Sequence, residues 1–99
     1  MAPRRVTVTW SPESTNDLQQ LYRHIAAANR PAARRLIARI KAAVKGLKEH
    51  PEIGRVVPEF ENSILRERLV GQYRIVYTFS HDKVEIAAIW HSAELMEES

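Results

Sequence analysis

Residues 31–48 constrain the fold more than any other stretch of the chain. Ala33, Leu36, Ile37, Ile40, Val44 and Leu47 recur at three- and four-residue steps, which predicts a helix over about 31–48 with one apolar face. The other face is basic: Arg30, Arg34, Arg35, Arg39, Lys41, Lys45 and Lys48 lie in it or at its edge, with no acid between them. Gly46 costs about 1 kcal/mol relative to alanine inside a helix, so this end is expected to fray. An earlier helix is predicted over about 12–28 from Leu18, Leu21, Tyr22, Ile25 and Ala28. Ser11-Pro12 starts it, because the serine hydroxyl can accept from a free backbone N–H and proline lacks the donor that would be orphaned. Glu13 and Asp17 complement the helix dipole, and Asn29-Arg30-Pro31 breaks the helix. Two amphipathic helices joined by so short a link form an antiparallel hairpin.

The rest of the chain alternates with a period of two. Val6, Val8 and Trp10 predict an N-terminal strand with three apolar groups on one face. Three further strands are predicted at about 64–70, 73–79 and 84–90, joined by turns at Gly71-Gln72 and His81-Asp82. Between helix and sheet, Pro51, Gly54 and Pro58 break the pattern, and residues 51–62 read as an ordered connection. The tail from Ser92 reads as a short helical turn or a frayed end. The expected architecture is α+β: an N-terminal strand, a helical hairpin, and a three-strand antiparallel meander completing one twisted sheet.

With 99 residues the chain is expected to be one domain, 1–99, burying roughly two thirds of its unfolded surface. It has no cysteine, which excludes disulfides, thiolate metal sites and cysteine nucleophiles, and fits a reducing cytoplasm. No stretch has the ~18 apolar residues of a membrane span, and no signal-peptide core is present, so no membrane partner is expected. Charge is uneven: residues 1–55 carry eleven Lys and Arg against four acids, and residues 56–99 four against eight. The basic half sits mainly on the second helix, where it reads as a protein-docking surface or a solvated face.

Two-residue turns fix a register by arithmetic. The turn at Gly71-Gln72 pairs Leu69 with Arg74 and places Leu65 and Glu67 on the same face, with Arg66 and Arg68 opposite, beside Ile75 and Tyr77. The turn at His81-Asp82 pairs Arg74 with Ile89 and Gln72 with His91, making Arg74 and His91 diagonal neighbours on one face. An arginine beside a histidine is a combination for holding phosphate and moving a proton. The alternative is that Arg74 is paired with Glu67 or a chain terminus and His91 is a surface residue. His24, His50 and His81 show no metal-ligand spacing, and there is no phosphate loop, GxSxG or HExxH, so neither metal nor cofactor is expected.

Taken in order, Val-Thr-Trp-Ser-Pro-Glu at 8–13, Asp17-Leu18, Ala32-Ala33, Leu36, Leu47 before His50-Pro51, Gly54-Arg55, Arg66-Glu67, YRIVY at 73–77 and Ile89-Trp90-His91 resemble the RelE/ParE superfamily of type II toxins. The resemblance covers nearly the whole chain. It implies a helical hairpin on a twisted antiparallel sheet, and a cognate antitoxin that wraps and neutralises the toxin as a hetero-oligomer. RelE-like members cleave mRNA on the ribosome, whereas ParE-like members poison DNA gyrase. Arg74 matches an arginine that the nucleases use to hold phosphate, but Leu65 and Glu67 stand where they place two lysines. After His91, Ser92-Ala93-Glu94 replaces the expected basic or tyrosine residues. A row of Leu65, Glu67 and Leu69 offers no donor to a pentacoordinate phosphate.

The expectation is therefore a ParE-like gyrase inhibitor with no catalytic residues. The alternatives are a ribosome-dependent endonuclease using Arg74 and His91, and a non-toxic member acting only with its antitoxin. Candidate antitoxin- or target-binding residues are Arg34, Arg35, Arg39, Arg66, Arg68, Arg74, Trp90 and His91.

Overall fold

The computed structural model describes residues 5–60 and 64–92. In chain order it contains β1 (Thr7–Trp10), α1 (Pro12–Ala26), α2 (Arg30–Gly46), β2 (Arg55–Val56), a 3-10 turn (Pro58–Phe60), β3 (Leu65–Val70), β4 (Tyr73–Ser80) and β5 (Lys83–His91). The strands form one sheet in the order β1-β5-β4-β3-β2. β1 runs parallel to β5, and every other neighbouring pair is antiparallel. The expected helices and strands are all present. β2, which pairs Arg55 with Glu67 and Val56 with Arg66, is an added strand inside the segment read as a connection. The expected C-terminal turn lies outside the described residues, apart from Ser92.

Local chemistry sets the element ends. Ser11 caps α1, its Oγ accepting from the Ser14 N–H at 3.0 Å. Asn29 caps α2 in the same way, accepting from the Ala32 N–H at 3.0 Å. α2 ends at Gly46. The His81-Asp82 turn has positive φ at both residues, 51° and 58°, as a type I′ hairpin requires.

The helical hairpin covers one face of the sheet. Ile40, Val44 and Leu47 from the helical segment pack with Val6, Val70, Ile75, Tyr77, Val84, Ile86 and Ile89, all buried. Of the predicted stripe, Ala33 is also fully buried, while Leu36 and Ile37 are half-buried. The N-terminal half of α1 is tied to β5 beyond the point where β1 ends. The Ser11 N–H donates to Ile86 O at 2.9 Å, the Ser11 hydroxyl to Ala87 O at 3.0 Å, and the Ile89 N–H to Asp17 Oδ2 at 3.0 Å. These bonds satisfy backbone groups of β5 that β1 is too short to reach.

Candidate functional site

The sheet face turned away from the helices carries Arg74 on β4, Glu67 on β3 and Arg55 on β2, brought abreast by strand register. Arg74 Nη1 donates to Glu67 Oε1 at 3.1 Å and to Glu59 Oε1 at 2.9 Å, and Arg55 Nε donates to Glu67 Oε2 at 2.6 Å. Among the described residues, two guanidinium groups and two carboxylates thus form one network whose formal charges balance. Glu67 lies at its centre with a side chain that is 0% exposed, against 11% for Arg74, 20% for Glu59 and 61% for Arg55. The Arg74 pKa is held above its ordinary value, first by the hydrogen bond to Glu59, in opposition to burial, and then by the charge of Glu67.

The network sits beside a small apolar cluster. Val57, Val76 and Ala88 are buried, with Leu65 and Trp90 packed against them. Because β2 pairs with β3 and the chain then turns at Pro58–Phe60, Val57 and Glu59 are delivered to this cluster and this network. What reaches Arg74 is therefore carboxylate and hydrocarbon. The pairing of Arg74 with Glu67 is the second of the two readings weighed from the sequence.

The expected pairings of Arg74 with Ile89 and of Gln72 with His91 are wrong. β5 carries an irregularity opposite Val76 and Tyr77, so Tyr77 pairs with Ile86 but Val76 with Ala88, leaving Ala87 as an extra residue. From there the register shifts by one, pairing Arg74 with Trp90 and Tyr73 with His91. His91 therefore lies on the face opposite Arg74, edge-on to Tyr73 with ring centroids 5.1 Å apart and planes at 85°. The irregularity is held in place by the Ser11 hydroxyl on the Ala87 carbonyl. Ile86 and Ile89 both enter the helix-side core although they stand three positions apart, and strict alternation cannot bury both.

The other candidates are dispersed. Arg66 and Arg68 pair with Tyr77 and Ile75, on the helix side as expected. Arg66 Nη1 donates to Gly54 O at 2.9 Å, and Arg68 Nε is buried with no hydrogen-bond partner. Arg34, Arg35 and Arg39 are exposed on α2, and only Arg74 and Trp90 share the outer face. Three residues of the network were not among the candidates: Glu67 was read only as a partner for Arg74, and Arg55 and Glu59 come from the connecting segment. The one available signal was the Gly54-Arg55 pair.

A second polar cluster anchors the segment between α2 and β2. The Tyr77 hydroxyl donates to Pro51 O at 2.8 Å and accepts from the Gly54 N–H at 2.9 Å. Burial is the main cause that pushes the Tyr77 pKa above its ordinary value. Gly54 is required by this approach, since a Cβ there would lie 2.5 Å from the Tyr77 hydroxyl oxygen and 2.7 Å from Glu67 O. Among the described residues there is no group of three or more His, Asp or Glu placed to hold a metal, and no helix long and apolar enough to cross a membrane.

The fold, a helical hairpin on one face of a five-stranded sheet, is similar to that of several solved structures. The chain aligns with a chromosomal ParDE toxin-antitoxin system from P. aeruginosa at TM-score 0.73 and 19% identity, covering 89% of this chain and 97% of that one. It aligns with the RelBE2 toxin-antitoxin complex of Mycobacterium tuberculosis at TM-score 0.66 and 23% identity, over 88% and 98%. For the YoeB dimer of Staphylococcus aureus the values are 0.61 and 18%, over 88% and 97%. At these identities the likeness is one of fold. No curated protein sequence matches the chain. The family model described as the ParE toxin of the type II toxin-antitoxin system, parDE, matches residues 8–96, and the chain belongs to that family.

Proposed function

We propose that this chain is the toxin of a type II toxin-antitoxin pair, that a cognate antitoxin neutralises it, and that it acts by binding DNA gyrase rather than by cleaving mRNA. The observation that carries the choice is the double carboxylate grip on Arg74. Both carboxylates bond Arg74 through the same nitrogen, Nη1, so a phosphodiester approaching its remaining N–H donors would have to sit beside two carboxylates. A unit charge pair at 4 Å costs about 4 kcal/mol at an effective dielectric of 20. The separation of His91 from Arg74 removes the second member of the nuclease pair from that face. A binder needs no such constellation. The antitoxin partner is supported by the family and by similar structures that are themselves toxin-antitoxin systems.

Induction of the chain in a bacterial host, following DNA-damage response and transcript integrity together, tests the reading. Gyrase poisoning gives a damage response with intact transcripts, and rapid transcript cleavage refutes it. His91→Ala is expected to leave toxicity largely intact. Severe loss of toxicity in a folded His91→Ala protein would favour the nuclease instead.

A further inference from the structure

We propose that the β2 edge of the sheet, around a hollow between Ile53 and Leu69, docks the target protein through a surface of that partner that is apolar and carries carboxylates. This rests on the gyrase-binding reading above and assigns the contact it requires. Four large apolar side chains are exposed among the described residues: Ile53 at 53%, Val56 at 42%, Ile64 at 71% and Leu69 at 53%. All four lie on β2 or β3 or beside them. Single exposed aliphatic residues are ordinary on a folded domain, whereas several gathered at one edge mark an interaction surface.

Strand register does the gathering. Arg55 pairs with Glu67, and the same register carried two residues further sets Ile53 opposite Leu69. These two residues line one hollow of about 330 Å³ together with Arg55, Glu67 and Arg68. β2 is a terminal strand, at the opposite edge of the sheet from β1, so no strand of the sheet lies beyond it.

Charge defines the occupant. Glu67 is the one acid lining the hollow, its side chain is fully buried, and its two oxygens are taken by Arg74 and Arg55. Arg55 is largely exposed, and the Arg68 Nε is buried with no hydrogen-bond partner. Two guanidinium groups thus line an apolar hollow whose carboxylate is already consumed. Leucine-like side chains and exposed carboxylates on a partner protein complement both features. A second copy of the chain does not, because an isologous contact sets Arg55 and Arg68 against their own counterparts with no accessible acid in the hollow. A nucleic acid would use the arginines but leave the four aliphatic side chains unmatched.

The test compares the wild-type chain with Ile53→Asp/Leu69→Asp and with Ile53→Lys/Leu69→Lys, reading affinity for purified gyrase and inhibition of DNA supercoiling. Both positions are exposed, and circular dichroism and thermal melting confirm that each variant folds. The aspartate pair removes apolar contact and repels an acidic partner, and is expected to weaken both readouts by about tenfold or more. The lysine pair removes the same contact but adds attraction, and is expected to lose less. An aspartate pair within about threefold of wild type overturns the proposal, and so does a lysine pair that loses as much or more. Wild-type dimerisation abolished by the aspartate pair would assign the edge to a second copy, and binding of DNA alone abolished by it would assign the edge to nucleic acid; either overturns the proposal. If the wild-type chain neither binds nor inhibits gyrase, the gyrase reading itself fails, and the assignment of this edge falls with it.

Discussion

Glu67→Gln probes the centre of the outer-face network with almost no change of shape. Each Glu67 oxygen accepts from a different arginine, Oε1 from Arg74 and Oε2 from Arg55. The amide that replaces the carboxylate keeps one acceptor oxygen and presents N–H donors at the other position, so one arginine must face a donor. The Arg55 side chain is 61% exposed, and its pairing is worth about 1 kcal/mol or less after solvent screening. Arg74 is 11% exposed, and a charged hydrogen bond of this kind contributes about 1.5–3 kcal/mol. Glu59 still neutralises Arg74 in the variant, which keeps the loss below that of a fully orphaned buried charge. The expected destabilisation is about 2–3 kcal/mol, or roughly 10–20 °C in Tm for a domain of this size. Urea unfolding should show the midpoint falling with an unchanged slope, and Arg55→Ala should lose about 1 kcal/mol at most. A Glu67→Gln variant within about 0.5 kcal/mol of wild type would refute the claim that this carboxylate holds Arg74, and with it the main argument against phosphate binding.

Two further predictions concern the Tyr77 cluster. Tyr77→Phe removes the hydroxyl that bonds Pro51 O and Gly54 N–H, and should cost about 1–3 kcal/mol by denaturant unfolding. Burial raises the Tyr77 pKa above the ordinary 10.0, so between the unfolded and folded values the native state binds the extra proton. Stability from this group is intact below pH 10 and declines as pH rises above it; the wild type should lose stability there more steeply than Tyr77→Phe, and parallel pH curves would contradict this. Gly54→Ala forces a Cβ against the Tyr77 hydroxyl and the Glu67 backbone, and is expected to cost about 1–3 kcal/mol, measured as a fall in Tm.

The sequence by itself determined the helices, the Ser11 cap, the hairpin turns and the register of β3 on β4. Each of these follows from contacts close along the chain, such as Ser11 to Ser14 and a two-residue loop that leaves a single pairing open. It also placed Arg74, Glu67 and Leu65 on one face and raised the Arg74–Glu67 pair as an alternative. What the tertiary structure decided depends on residues far apart in sequence. The Ser11 hydroxyl holds the Ala87 irregularity from 76 positions away, and that single extra residue moves His91 to the opposite face from Arg74. Glu59 reaches Arg74 from a segment whose breakers hid both β2 and the turn that aims it. Local periodicity reports which face a strand buries, but it carries no record of which distant side chain neutralises a buried charge. On this protein that neutralisation is the basis for proposing that Arg74 is structural rather than phosphate-binding.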